Sequence, residues 1–446
     1  MNTTGKFAQV ASIPRPRISE ASKVGHGSFL AFALGLTLLT TYPAEGSADF
    51  MRMQLLGTYL ITYFDFTVVF ACLVLAWTGT FKLVRNEWAL LRAVVLVSLT
   101  RILSLLFAST LLNEQILSLF RYFSTFVILL LLANLLCQHR NRQLFLAGMI
   151  VGTVVETAGN LFVFFSSQGE TRGYWLGLDN YKVQVFLLVA CCISMSQRKN
   201  RSQKIVAGLL LFLGILATET RTALILLVLC LVLLALARGK RMLKPIFAVL
   251  ILVCVAVVPI LFLLPGAAEG LNQRAEQVWT GEGSVGYRII LYEMAAAAYL
   301  GHPVTGIGSG GFGRQQNSLY LQIGDAFAPE YEALHLQVST HNTVLGVAAE
   351  TGTVGLIAYF LWVTTVVGTC IRAIRMEKAD HDFYVLAACI CLLAMLSQDW
   401  WGQASFMPVS TCLLGFVMGW CRDRDAPREL GGRPTRSVQP SPACVL

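Results

Sequence analysis

The stretch RTALILLVLCLVLLALARGKRMLK, residues 221–244, contains the pattern that decides the fold. Its run from Thr222 to Ala237 carries no charge, and four basic residues follow within residues 238–244. A helix needs about 20 mostly apolar residues to cross roughly 30 Å of hydrocarbon, and Lys and Arg collect in the cytoplasmic loops of membrane proteins. The stretch therefore predicts a transmembrane helix whose carboxyl end lies in the cytoplasm.

Similar runs recur along the chain, which is 56% hydrophobic and only 13% charged. In soluble domains roughly a quarter of the residues are charged, so the composition predicts an all-α, polytopic transmembrane protein. The predicted spans number about twelve, at residues 28–43, 55–78, 88–110, 115–137, 143–167, 181–197, 205–219, 221–237, 245–264, 350–371, 383–399 and 405–421.

Basic residues alternate between successive connections, and this alternation predicts the orientation. Residues 198–204, like residues 238–244, contain four Lys and Arg, whereas short connections on the opposite side contain one or none. Both termini are therefore predicted to be cytoplasmic, with the first helix as a retained anchor. The net charge of +9 is read as a topology signal, so no nucleic-acid partner is expected.

The orientation divides the chain into five predicted parts. These are a cytoplasmic segment 1–27, helices 28–264, an outer loop domain 265–349, helices 350–421 and a disordered cytoplasmic tail 422–446. The loop is too long for a linker without structure. Within it, Tyr287 to Leu300 predicts an amphipathic helix, and Gly306 to Gly313 predicts a flexible turn, so we expect a small helical cap.

Several cations are predicted to gather just below the outer surface. Ionisable residues inside apolar spans are costly and point to function. The set consists of Arg101, Arg121, Lys182 and Arg221, with Arg288 from the loop. A phosphate or diphosphate group would complement it. Alternatively, Arg101 or Arg121 pairs with Glu156 or extends its charged end toward lipid headgroups.

The outer loop ends in Ser339-Thr340-His341-Asn342, directly before an apolar span. Ser339 or Thr340 can cap the following helix, which would put His341 in its first turn. The positive end of a helix dipole disfavours imidazolium, so a neutral His341 could act as a base. A purely structural histidine is the alternative.

At these residues the sequence resembles the O-antigen ligase superfamily. His341-Asn342, nine residues, Gly352, two residues and Gly355 is similar to the family's His-Asn-x9-Gly-x-x-Gly pattern. Further pieces agree in order and spacing between residues 218 and 362. They are Glu219-Thr-Arg221-Thr-Ala, then Arg288-x3-Tyr292-x2-Ala295 with Tyr in place of the usual Trp, then His302-Pro303 and Gly306 to Phe312.

The resemblance implies a GT-C-like helical protein of the bacterial inner membrane with a periplasmic active site. The implied reaction moves a glycan from undecaprenyl diphosphate to a sugar hydroxyl of lipid A-core, with inversion and without metal or other cofactor. Arg221 and Arg288 would bind the diphosphate, and His341 would act on the acceptor hydroxyl as base or positioner. Supporting roles are expected for Asn342, Arg101, Arg121, Lys182 and Glu282.

Other functions are also compatible with these sequence features. A repeat-unit polymerase or a protein O-oligosaccharyltransferase resembles ligases in the same segment. A lipid-glycan flippase or transporter, which is not an enzyme, would also use intramembrane cations. Glu45 and Asp49 form the one acidic pair of the first outer loop, but without a further ligand they favour a site free of metal.

Overall fold

The computed structural model describes most of the predicted helices. The described residues are 18–38, 52–55, 59–77, 87–106, 112–167, 181–195, 201–217, 221–238, 247, 251, 284–323, 340, 342–376, 383–395 and 407–429. The helices are α1 (Ile18–Thr37), α2 (Tyr63–Trp77), α3 (Glu87–Leu105), α4 (Leu112–Leu135), α5 (His139–Ser166), α6 (Tyr181–Met195), α7 (Arg201–Ala217), α8 (Arg221–Arg238), α9 (Ser284–Gly301), α10 (Gly311–Ile323), α11 (Thr343–Met376), α12 (Phe383–Met395) and α13 (Met407–Glu429).

The described helices are those of a membrane protein. Three segments are long and apolar enough to cross a bilayer: Trp88–Leu105 of α3, His139–Ser166 of α5 and Thr343–Arg375 of α11. On α3, Leu90 and Val94 are buried in the bundle, whereas Leu99 and Ile102 are exposed on its outside. An apolar exterior of this kind suits a lipid environment and would be unfavourable in water. The chain is therefore a helical membrane protein.

A helix occupies every predicted span except the ninth, 245–264, of which only residues 247 and 251 are described. The second span was predicted from residue 55, and its start was wrong. Strands β1 (Arg52–Leu55) and β2 (Tyr59–Thr62) pair antiparallel there, with Arg52 opposite Thr62, so the chain is not wholly helical. Helix α13 continues to Glu429, so the tail predicted to be disordered begins as helix.

Close helix packing depends on small residues. Helices α1 and α5 meet at Gly35 and Gly148, where an added Cβ would clash with the carbonyl oxygen of Phe145 or of Phe32, respectively. One end of this contact carries a hydrogen bond from Ser28 Oγ to Asn141 Oδ1 of 3.1 Å. Small residues that let two backbones approach are typical of helix pairs in membranes, where apolar burial drives association less than in water.

Helices α9 and α10 form a layer on the first part of α11. Their apolar side chains share a cluster with the turn between them and with Ala349 of α11, separate from the main core. Its buried members are Ile290, Leu291, Met294, Ala295, Ala298, Ile307, Phe312, Leu319, Tyr320 and Ala349. The amphipathic helix predicted at 287–300 is confirmed as α9. The flexible turn predicted to reach Gly313 is shorter, because α10 begins at Gly311.

The contact between α1 and α5 leads to a stability prediction. Replacing Gly148 by Val should separate the two helices, because its Cβ has no room beside the backbone of Phe32. Overpacking costs about 1–3 kcal/mol or more, so the melting temperature of the purified protein in detergent should fall clearly. Gly368→Val in α11 is the matched control, since a Cβ there meets nothing within 4 Å. Equal losses of melting temperature for both variants would contradict this packing.

Candidate functional site

Helix α11 is broken at Gly352, which has φ 63° and ψ −160°. In an unbroken helix, the N–H of Thr353 would donate to Ala349 and that of Val354 to Glu350. The break interrupts these two hydrogen bonds, and the four backbone groups that would form them need other partners. Away from water, unsatisfied groups of this kind cost several kcal/mol each. The broken helix therefore needs replacement partners from another part of the chain.

Residues 303–308, between α9 and α10, supply those partners. The N–H groups of Ile307 and Gly308 donate to the carbonyls of Ala349 and Glu350, over 2.9 and 3.0 Å. In the other direction, Thr353 N–H donates to the Pro303 carbonyl over 2.8 Å, and Val354 N–H to the Val304 carbonyl over 3.4 Å. We call residues 303–308 with 349–354 the junction. The carbonyls of Ala349 and Glu350 and the N–H groups of Thr353 and Val354 are all satisfied within it.

Two glycines of the junction leave no room for a side chain. Gly306 and Gly352 have φ of 68° and 63°, in the left-handed region that other residues rarely adopt. A Cβ on Gly306 would clash with the backbone of Glu350, and one on Gly352 with the backbone of Val304. Gly352 is the first glycine of the His-Asn-x9-Gly-x-x-Gly pattern. The pattern therefore marks a helix break into which a second chain segment fits.

A buried ion pair adjoins the junction. Arg101 of α3 is 4% exposed, and its Nη1 lies 2.9 Å from Glu350 Oε2 and 2.8 Å from Ser309 Oγ. One turn along α3, Ser104 Oγ accepts a hydrogen bond from Ser309 N–H over 3.2 Å. Arg101 was expected to bind diphosphate or to pair with Glu156. The structure pairs it with Glu350, a residue that the sequence did not single out.

Asn342 caps the start of α11. Its Oδ1 accepts hydrogen bonds from the N–H groups of Val344 and Leu345, over 3.0 and 3.2 Å. Thr340 Oγ1 donates to the carbonyl of Asn342 over 2.7 Å and supports the turn before it. The prediction that Ser339 or Thr340 is the cap was therefore wrong. The helix begins at Thr343, seven residues before the predicted span, so His341 precedes the cap and is not in the first turn.

The other predicted site residues divide into two groups. Arg288 is exposed on α9, three residues before the buried Leu291. Arg121, Lys182 and Arg221 lie in helices α4, α6 and α8, but their side chains are outside the described part of the chain, as are the whole of His341, Glu282, Glu45 and Asp49. Their predicted meeting with Arg288 stays a prediction.

Helix α5 has a buried polar face, of which only Glu156 was identified from the sequence. Thr153, Glu156, Thr157 and Asn160 are all buried, with at most 2% exposed. They follow an i, i+3, i+4, i+7 spacing that places them on one side of the helix, and this spacing was the available signal. Polar side chains in a membrane bundle interior are costly and often functional.

Among the described residues, no group of three His, Cys, Asp or Glu could hold a metal ion.

Comparison with known proteins adds an independent observation. A search of curated proteins found no match to the chain. A family model described as O-antigen ligase matches residues 205–360. That interval contains Arg221, Arg288, the Asn342 cap and the whole junction. The chain therefore carries, over residues 205–360, a segment that matches the O-antigen ligase family, and the resemblance predicted from its motifs is confirmed.

Proposed function

We propose that this chain is a glycosyltransferase that moves a glycan from undecaprenyl diphosphate to a sugar hydroxyl of lipid A-core, at the periplasmic face of the bacterial inner membrane. The family match supports a ligase or polymerase of lipid-linked glycans. The observation that carries the proposal is the junction. It joins the capped helix start that follows His341 to the layer that bears Arg288.

A lipid-linked donor follows from the proposed location of the site. Nucleotide sugars are confined to the cytoplasm, so a transferase on the outer face requires a donor carried through the membrane. In the reaction, the acceptor oxygen would attack the anomeric carbon of the donor sugar, and the bond from that carbon to the diphosphate oxygen would break. The diphosphate leaves with the electron pair, and the acceptor hydroxyl gives up its proton. Attack from the opposite face inverts the configuration, so an α-linked donor gives a β-linked product.

Cationic side chains would stabilise the leaving diphosphate. We assign this role to Arg221, at the start of α8, and to Arg288, which is exposed on α9 and so accessible to a ligand. Arginine suits the role because its planar fork can donate two hydrogen bonds to one phosphate. Charge stabilisation by preorganised donors is commonly the largest contribution to such a reaction. Arg121, Lys182 and Glu282 are proposed as supporting residues on the same side of the membrane.

His341 is proposed to act on the acceptor hydroxyl, as base or positioner. It directly precedes Asn342, whose side chain caps α11 and so fixes where the helix begins.

We further propose twelve spans, cytoplasmic termini and a periplasmic loop domain at 265–349 that covers the site. In this arrangement, both lipid-anchored substrates can reach the site without leaving the membrane.

Deletion of the gene provides the test of acceptor identity. If the chain is the ligase, the deletion strain should lose all long-chain lipopolysaccharide on a gel and accumulate lipid-linked polymer, because the last transfer fails. Complementation with the intact gene is the control. Core carrying one repeat unit would instead indicate a polymerase, and an unchanged gel pattern would indicate a protein acceptor or a transporter.

Arg288 should be needed for catalysis and not for folding, because its side chain is exposed. We expect Arg288→Ala to reduce transfer by roughly 10²- to 10³-fold, as for the loss of one charge-stabilising donor. Arg288→Lys should restore part of the rate, since a point charge lacks the bidentate fork. Arg372→Ala is the matched control, at an exposed arginine near the far end of α11. Full activity of Arg288→Ala in a reconstituted assay would refute the assignment.

His341→Ala should separate binding from turnover. We expect normal membrane insertion and normal binding of the donor lipid, with transfer reduced by roughly 10²- to 10⁴-fold, as for the loss of a general base. Donor binding and single-turnover transfer should be measured on the same purified sample. A near wild-type transfer rate would rule out the base role. Normal transfer together with failed lipid translocation would instead support a transporter.

A further inference from the structure

The ion pair between Arg101 and Glu350 connects three parts of the molecule. Arg101 belongs to the apolar helix α3, and Glu350 lies in α11, two residues before the break. The same guanidinium nitrogen also donates to Ser309, in the Gly-rich turn at residues 306–310. The Ser104 hydroxyl of α3 also accepts a hydrogen bond from the Ser309 N–H. Helix α3 thus contacts the junction at Glu350 and also Ser309, the residue directly after its other segment.

Stability alone explains the ion pair poorly. Removing two charges from water is costly, and a well-packed apolar pair is often at least as stable as a buried ion pair. Arg101 is 95% buried as a side chain and Glu350 is 83% buried. A buried ion pair of this kind instead fixes the relative position of the two helices that carry it, because each charge must stay where the other can pair with it. Here those helices are α3 and α11.

The ion pair fixes the helix segment that leads from His341. Residues 343–351 form the first part of α11, and Asn342 caps it. Glu350 lies eight residues after the cap, about 12 Å along the helix axis at 1.5 Å per residue. Holding Glu350 at α3 sets the direction of this segment and so the location of its first residue. The turn held by Ser309 follows α9, the helix that bears Arg288.

We propose that Arg101 and Glu350 are positioning residues that set the distance between His341 and the diphosphate site. This inference rests on the proposed function and changes one expectation from the sequence. Arg101 would act through protein contacts, since its Nη1 already donates to Ser309 and Glu350, and would not itself bind the donor diphosphate. Displacing reacting groups by about 1 Å can reduce a rate by 10²-fold.

The test compares single and double neutral variants in a reconstituted transfer assay. Arg101→Gln and Glu350→Gln should each lower kcat by about 10- to 100-fold, with the donor KM changed less than threefold, because the misplacement acts on the reacting geometry. The double variant should be faster than either single variant, since it leaves no unpaired buried charge. Arg92→Gln, at an exposed arginine of the same helix, is the matched control and should be unchanged.

Two results of this comparison would overturn the positioning role. Direct diphosphate binding by Arg101 would raise the donor KM in Arg101→Gln and give a double variant no faster than that single variant. A purely structural role would lower the folded yield or the melting temperature while kcat per folded molecule stayed at the wild-type value. If a neutral single variant does not fold, Arg101→Lys keeps the charge. It should then retain the donor KM with a reduced kcat, and a raised KM would refute the proposal.

A crosslink tests the contact without reference to activity. In a variant whose native cysteines are replaced, Ser104→Cys with Ser309→Cys should be crosslinked by a short bifunctional thiol reagent, since Ser104 Oγ and the Ser309 amide lie 3.2 Å apart. Absence of the crosslink would refute the arrangement itself. A wild-type protein that transfers no glycan would refute both the proposed function and the positioning role. Active wild-type protein with unaffected Arg101→Gln and Glu350→Gln would refute the positioning role alone.

Discussion

The severed hydrogen bonds at Gly352 are the constraint on which the rest of the structure depends. A helix inside a membrane normally satisfies its own backbone, and a break exposes groups that the surrounding lipid cannot satisfy. Here the carbonyls of Ala349 and Glu350 and the N–H groups of residues 353 and 354 lose their helical partners, and residues 303–308 provide others. The segment between α9 and α10 is therefore a structural part of α11. This explains why the α9–α10 layer packs on α11 through its own apolar cluster around Ile290, Met294 and Ala349.

Polar contacts around the junction follow from the same constraint. Backbone hydrogen bonds fix the turn relative to α11 but do not join it to α3. Arg101 and Ser104 provide that second attachment, through Glu350 and Ser309. A cation in an apolar helix is costly without a partner, and Glu350 is held nearby because the broken helix cannot move away from the turn. Backbone and side-chain contacts thus support one geometry.

The sequence predicted local features well and long-range pairings poorly. Hydropathy located α3, α5 and α11, because a run of about 20 apolar residues favours a membrane-spanning helix whatever that helix packs against. The cap of α11 was placed at Ser339 or Thr340 because several neighbouring residues can cap a helix, and only the backbone conformation selects Asn342. Glu350 was missed as the partner of Arg101 because 249 residues separate them. The spacing of His341, Asn342 and Gly352 identified the family, but it gave no indication that a second segment enters the helix break.

The junction also gives the nine-residue spacing between Asn342 and Gly352 a physical meaning. Residues 343–351 act as a spacer of about two and a half helical turns, roughly 13 Å long, between a capped end and a broken end. Substitutions along it alter only the side chains, whereas one inserted or deleted residue would turn the capped end by about 100° relative to the break. Both ends are fixed, one by Asn342 and the other by Pro303 and Val304. The length of this spacer is therefore constrained by its two ends, in addition to the side-chain contacts that Ala349 and Glu350 make along it.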